Sequence, residues 1–347
     1  MLSAQGNLPE ALKAYRDSFA INERLAAADP SNAGWQRALS VSYSNVGSVL
    51  QAQGNLPDAL NAYRDALIIR ERLAKTDPGN MGWQSDLASS YNLVGDVLRA
   101  QGNLPDALKA YRDGLTIRER LAKADPSNAG WQHNLSVSYN QVGLVLQAQG
   151  KLAEALKAYR DGFAINERLA AADPSNAGWQ RELAVRYGNV GSALQAQGNL
   201  PDALNAYRDA LTIRERLAKT DPGNTGWQRE LSLSYANVGF VLRAQCNLAD
   251  ALKAYRDSLA IRERLANTDP GNADWQADLA RSYSLLAPVY EKLDNTAEAL
   301  IALRKGREIL ATLVAIAPSN AQWKNYLAWF DGQIAQLEGR ATEAGKN

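Results

Sequence analysis

The chain has 347 residues, and the 46% that are hydrophobic by a broad count suffice to bury a core. Lys and Arg number 38 against 37 for Asp and Glu, so no net field draws the chain onto a nucleic-acid backbone or an anionic membrane. A single cysteine, Cys246, and a single histidine, His133, exclude an internal disulfide framework and a multi-thiolate zinc site, and remove most metal-ligand and general-base arrangements.

A protein of the reducing cytoplasm, with no metal and no cofactor, is the expectation. The opening MLSAQGNLPE has no basic segment leading into an apolar one, and no stretch approaches about 18 uninterrupted apolar residues, so neither export nor a membrane span is expected.

Trp35, Trp83, Trp131, Trp179, Trp227, Trp275 and Trp323 stand 48 residues apart, as do the prolines from Pro30 to Pro318. This spacing marks a repeat array. Each unit is punctuated twice, by Asp-Pro-Gly/Ser-Asn and by Gly-Asn. Proline pushes the residue before it out of the helical region, Ser or Asn caps a new helix, and Gly suits the left-handed residue past a helix end. Each unit is therefore read as two helices, A and B.

In chain order, the array opens in the last turn of an A helix and continues with a B helix over about Leu8–Ala28, a partial repeat within residues 1–29. Six full pairs follow, at 30–77, 78–125, 126–173, 174–221, 222–269 and 270–317. In the first of them helix A spans about Ala33–Gln53 and helix B about Leu56–Thr76, with Asn55 as N-cap and Pro57 tolerated in the first turn. Cys246 replaces a turn glycine, where a left-handed backbone is expected. The sixth pair departs from the others at Ala287-Pro288 and has Leu303 for a tyrosine, which predicts a kinked A helix near a cap. A lone A helix from about Ala321 closes residues 318–347, and its polar end EGRATEAGKN is expected to fray. Because Met1 falls inside a repeat, the chain reads as a fragment or as a product missing a partner domain.

Helix A carries Trp35, Leu39, Tyr43, Val46, Gly47 and Leu50 on one stripe; helix B carries Leu56, Ala59, Leu60, Tyr63, Ala66, Leu67 and Leu73. One hairpin cannot bury two such faces alone. Neighbours have to stack, and the fold class is an all-α solenoid.

The run Tyr43, Val46, Gly47, Leu50, Gly54, Ala59, Tyr63, Ala66 and Pro78 resembles the tetratricopeptide repeat (TPR) family along essentially the whole chain. The unit exceeds that family's 34 residues by 14, divided as 7 before Gly47 and 7 between Ala66 and Pro78. Seven residues shift the helical phase by only ~20°, so both helices can lengthen by two turns, as in the elongated repeats of kinesin light chains. The resemblance implies a right-handed superhelix of stacked A/B hairpins, whose A helices line a concave groove for a peptide or a partner's helix.

Residues copied in every unit are read as scaffold. Trp35, Trp83, Trp131, Trp179, Trp227, Trp275 and Trp323 are expected to pack between repeats, and Gly47, Gly95, Gly143, Gly191 and Gly239 to be the small residue midway along helix A. Tyr63 is expected between helices, while Arg64-Asp65 and Arg70-Glu71-Arg72 form solvated pairs on the outer face. The copies differ at positions two, six, nine, thirteen and sixteen residues after each Trp, intervals of four and three that trace one face of helix A.

If the family's groove carries over, the candidate ligand residues on that stripe are Asn92, Asp96, Arg99, Asn140, Leu144, Gln147, Phe240 and Arg243. Polar members would meet a ligand's backbone, with Leu144 and Phe240 as apolar anchors. An idle, drifting solvent face is the alternative. Asn92, Arg99 and Asn140 fit only loosely the carboxylate clamp of some family members. Stripe arginines at 37, 99, 181, 229, 243 and 281 outnumber the acids Asp96 and Glu291, a lean toward a mildly acidic ligand. His133 is read as a surface residue, and Trp329 as either a cap or a groove contact.

The functional expectation is a non-enzymatic protein-interaction scaffold. A self-associating solenoid, through the open apolar face of the first B helix, and a regulatory spacer of a larger protein are its alternatives. An RNA-reading repeat would need a basic channel. An enzyme would need a phosphate loop, a metal cluster or a nucleophile–base pair, none of which the sequence offers.

Overall fold

The computed structural model describes residues 8–344, with side chains through residue 340. The partial A-helix turn expected at the start lies outside the described residues. Fourteen α-helices and no strand occur among them: α1 Leu8–Ala28, α2 Ala33–Ala52, α3 Leu56–Thr76, α4 Met81–Ala100, α5 Leu104–Ala124, α6 Ala129–Ala148 and α7 Leu152–Ala172, then α8 Ala177–Ala196, α9 Leu200–Thr220, α10 Thr225–Ala244, α11 Leu248–Thr268, α12 Ala273–Lys292, α13 Thr296–Ile316 and α14 Ala321–Ala344. They fall into two compact units, the first ending at Ala172 and the second beginning at Asp173. Within each unit every helix packs on the next in sequence, the pattern of a helical solenoid.

The helix ends follow from capping chemistry. Before each of α2, α4, α6, α8, α10 and α12 an asparagine side chain accepts from the backbone N–H of the repeat tryptophan, as Asn32 does from Trp35 at 3.1 Å. At the B helices the cap is two-way in α3: Asn55 accepts from Asp58 N–H at 3.4 Å and donates to the Asp58 carboxylate at 2.7 Å. The turn residue before that cap is left-handed, with φ of +79° at Gly54 and 60° at Cys246. Cys246→Gly should therefore raise stability by about 1 kcal/mol. Thermal unfolding of the two proteins checks this, and an unchanged or lower midpoint would count against it.

Within a hairpin, a ring is laid on a glycine. A Cβ at Gly47, Gly95, Gly143 or Gly239 would stand 2.8, 2.7, 2.5 or 2.8 Å from a ring carbon of Tyr63, Tyr111, Tyr159 or Tyr255 respectively. These tyrosines are buried, so the bare backbone is what lets helices A and B approach. The sixth pair solves the same problem with different sizes: Ala287 takes the glycine position and the smaller Leu303 the tyrosine position, both buried. α12 continues as one helix through Pro288 to Lys292.

Between repeats, the expectation for Arg70 is corrected. Arg64, Asp65, Glu71 and Arg72 are exposed, but Arg70 is only 6% exposed. Its Nε donates to Ser40 Oγ at 3.1 Å, and its Nη1 to Ser90 Oγ at 2.7 Å in the next A helix. Arg118 and Arg262 repeat this, donating to Ser138 Oγ at 2.8 Å and Ser282 Oγ at 3.1 Å. Burial, with no carboxylate in contact, pushes the Arg118 guanidinium down to about 10. Two of the repeat tryptophans are seen against clusters from the preceding repeats: Trp131 against Ala74, Leu87, Ala88, Ile117 and Leu121, and Trp275 against Ala218, Leu231, Ile261 and Leu265. At the last interface Leu310 and Phe330, both fully buried, stand where Arg70 and Ser90, Arg118 and Ser138, and Arg262 and Ser282 stand in other repeats. α14 is helical to Ala344, with Leu337 buried and Arg340 paired to Glu291 at 3.0 Å; the last three residues of the polar end lie outside the described residues.

A second bond joins neighbouring repeats. Tyr91, Tyr139, Tyr235 and Tyr283 donate to Glu71, Glu119, Glu215 and Glu263 at 2.7, 2.8, 2.6 and 2.8 Å. Burial first, then donation to a carboxylate, raises each of these phenols above its ordinary value. Burial alone lifts Tyr159 to about 12. An acid whose folded pKa is raised contributes stability that is present below its unfolded value, near ~10, and lost as pH rises through the folded value. Alkaline unfolding between about pH 10 and 12 is the expected result. Phenolate absorbance should rise together with loss of helical circular dichroism; absorbance rising well before helix loss would rule this account out.

Candidate interaction surface

In both units the stripe of helix A that varies between copies is only partly open to solvent. In the first unit, Arg37 on α2 is bonded to Asp86 of α4 at 2.6 Å. Asn92 is 7% exposed, and with its amide oriented toward Arg118 the side-chain oxygen accepts from Nη1 at 2.7 Å. Asp96 accepts from the Tyr111 hydroxyl at 2.6 Å. Burial raises the Asp96 carboxyl, while that hydrogen bond and the charge of Arg99 act the other way. Gln147 is half-buried and accepts from Tyr159 at 2.9 Å. Asn140 and His133 are half-buried. Arg99 and Leu144 point outward.

Partial burial at position sixteen has a local cause: there the side chain lies within reach of the tyrosine of helix B. At position nine Asn92 reaches the helix-B arginine instead. Position sixteen supplies the acceptor in three hairpins: Gln51 to Tyr63 at 3.1 Å, Gln147 to Tyr159, and Gln195 to Tyr207 at 3.2 Å. The sequence carries this signal, because the glutamine and the tyrosine keep one separation of 12 residues.

In the second unit, Phe240 of α10 is 40% exposed and the Arg243 guanidinium lies over its ring, 5.1 Å from the centroid. Leu233, two turns earlier, is also exposed. Arg181 and Arg229 are paired with Glu230 and Asp278 of the following A helix at 2.5 and 2.6 Å. Three of the six stripe arginines are thus neutralised by an acid 49 residues on. Arg243 and Arg281 have no acidic partner among the described residues.

Trp329 packs on its own helix and also borders open space. Its ring packs on Phe330 with centroids 5.0 Å apart, and its outer face lines an open cleft of ≈ 530 Å³ with Arg281, Gln322, Asn325 and Tyr326. The Tyr326 hydroxyl is bonded to Ser284. Gln322, Asn325 and Tyr326 escape the sequence comparison because α14 has diverged too far from the other A helices to be read as a variation on them. No three His, Cys, Asp or Glu side chains among the described residues are grouped so as to hold a metal ion.

Two family models described as tetratricopeptide repeat match the chain, one over residues 38–120 and the other over 1–30, 135–174, 183–222 and 232–270. Among solved structures, the apo form of RapI is similar with a TM-score of 0.63 at 14% identity, covering 97% of this chain and 86% of that one. BtubC (BKLC) from P. vanneervenii is similar with a TM-score of 0.58 at 20% identity, covering 74% of this chain and 92% of that one. At such identities the likeness concerns the fold. No curated protein sequence matches the chain.

Proposed function

Because the chain belongs to the tetratricopeptide repeat family, whose repeats generally mediate protein–protein interaction, we propose that it is a non-enzymatic scaffold binding a peptide or a partner's helix along the variable face of its A helices. One observation carries the reading. Among the described residues, every exposed large apolar side chain in the interior of an A helix lies on that stripe: Val41, Leu144, Leu233, Phe240 and Trp329. Each is six or thirteen residues after its tryptophan. An idle solvent face drifts toward polar residues, whereas apolar anchors kept at the same two positions of the repeat suit a bound peptide.

The test compares three proteins on an array of 12-residue peptides of varied charge. They are the parent, a variant with Leu144, Leu233 and Phe240 changed to Ser, and Ile68→Ser, which alters an apolar residue 63% exposed on a B helix. Helicity is matched by circular dichroism. The stripe variant should lose binding at least about tenfold while Ile68→Ser keeps it; equal binding by all three sinks the stripe assignment.

Self-association is a second reading, favoured by exposed Ile21 and Leu25 on α1. Sedimentation at several concentrations separates it from a monomeric binder. A cytoplasmic setting goes with the proposal. It is supported by the single cysteine and by the fact that no described helix is long and apolar enough to cross a membrane. Near-neutral charge favours a protein partner over a nucleic acid.

A further inference from the structure

In α3, α5, α7, α9 and α11 the tyrosine lies in the hairpin with positions thirteen and sixteen of its A helix, and in four of these hairpins one of those positions accepts a hydrogen bond from its hydroxyl. Gln51, Gln147 and Gln195 do so for Tyr63, Tyr159 and Tyr207. In the α4–α5 hairpin the glutamine is replaced by Arg99, and Asp96 takes over as acceptor at 2.6 Å, with Arg99 close enough to act on both groups.

The α10–α11 hairpin carries the arginine without the acid. Arg243 corresponds to Arg99, but Phe240 stands where Asp96 does. Neither side chain can accept a hydrogen bond from a phenol of the kind glutamine or aspartate accepts. The Tyr255 hydroxyl is accordingly buried with no hydrogen-bond partner, on a residue only 1% exposed. A buried, unsatisfied hydroxyl is costly. The nearby Arg243 has no carboxylate and lies over the Phe240 ring. Such a half-exposed contact is weak beside a charge-assisted hydrogen bond.

Resting on the stripe reading above, we propose that Tyr255, Arg243 and Phe240 form a subsite for a carboxylate of a bound peptide. The acid takes the place that Asp96 holds between Tyr111 and Arg99, and an apolar neighbour in the peptide lies on Phe240. To admit it, Arg243 swings off the ring and pairs with the incoming acid while the Tyr255 hydroxyl donates to it. The protein's own second repeat displays the finished arrangement. An Asp or Glu side chain and a free chain terminus offer the same chemistry.

The experiment uses the full chain and 12-residue peptides in matched pairs, Glu against Gln and Asp against Asn, each made with a free and with an amidated C terminus. The parent should prefer the acidic member by about tenfold at low salt, and the preference should shrink as salt screens the pair. Preference that survives amidation assigns a side-chain carboxylate; preference that vanishes with it assigns the terminus.

Two variants repair the hydroxyl from within. Arg243→Gln restores the acceptor of the sibling hairpins, and Phe240→Asp builds in the carboxylate of the second repeat. Both should melt at or above the parent's temperature and bind acidic and neutral peptides within about twofold of each other. If either variant keeps the parent's acidic preference, or if the parent shows none while still binding neutral peptides through the stripe, the subsite is wrong and the stripe reading stands. Absence of binding to any peptide overturns both.

Discussion

Gly143→Val is expected to lower the stability of the first unit by about 3 kcal/mol. A Cβ at Gly143 would stand 2.5 Å from Cε1 and 2.6 Å from Cδ1 of Tyr159, which is buried and bonded through its hydroxyl to Gln147. The ring cannot retreat without losing that bond and opening the hairpin between α6 and α7. Valine adds two γ-carbons to the clash. Gly188→Ala is the control: nothing lies within 4 Å of its would-be Cβ, and in α8 it should gain up to ~1 kcal/mol of helix propensity. Denaturant unfolding measures both. Because each repeat contacts only its neighbours, amide exchange in Gly143→Val should accelerate first in α6 and α7. A uniform acceleration across the unit would refute the local account.

Arg118→Ala should cost a similar ~3 kcal/mol, from a cavity plus broken hydrogen bonds. The guanidinium donates to Ser138 Oγ at 2.8 Å and to the Asn134 carbonyl at 3.0 Å, and its stem fills the space between α5 and α6. Lysine cannot span those acceptors, so Arg118→Lys should recover only part of the loss. Arg112 offers the contrast, being paired to Glu154 at 3.5 Å with both side chains more than half exposed. Arg112→Ala should change stability by no more than ~0.5 kcal/mol. Equal losses at 112 and 118 would mean that burial of the repeat arginine contributes nothing of its own.

A buried arginine bonded to neutral serines is a specificity device as much as a stabilising one. No carboxylate offsets the Arg118 charge, so an A helix without a hydroxyl and a carbonyl at the right height would leave that buried guanidinium unanswered. Where the array changes character, at α13 and α14, the chain replaces arginine and serine with Leu310 and Phe330. An interface that keeps one partner of either kind with one of the other would bury an unanswered charge or leave a void.

The candidate surface divides along similar lines. Period and stripe were legible because a 48-residue copy keeps every cap, turn and apolar position in phase, and helix bounds follow from caps alone: α3 spans Leu56–Thr76 and α2 begins at Ala33, as the punctuation dictates. Exposure within the stripe was not legible: at position thirteen Leu144 and Phe240 are exposed but Asp96 is half-buried, and at position sixteen Arg99 is exposed but Gln147 is half-buried. The difference lies in what each side chain reaches on a neighbouring helix, such as the tyrosines that Asp96 and Gln147 accept from.

By itself, then, the sequence determined the all-α solenoid, the number and limits of its helices, and which face is free to vary. These depend on local backbone chemistry and on periodicity, which are written residue by residue. Only the tertiary structure decided that Arg70, Arg118 and Arg262 are buried, that stripe arginines 37, 181 and 229 are neutralised by the next repeat, and that Tyr255 lacks an acceptor. Each of those depends on which side chain a neighbouring helix brings within about 3 Å, and that distance is set by packing rather than by the pattern of any one helix.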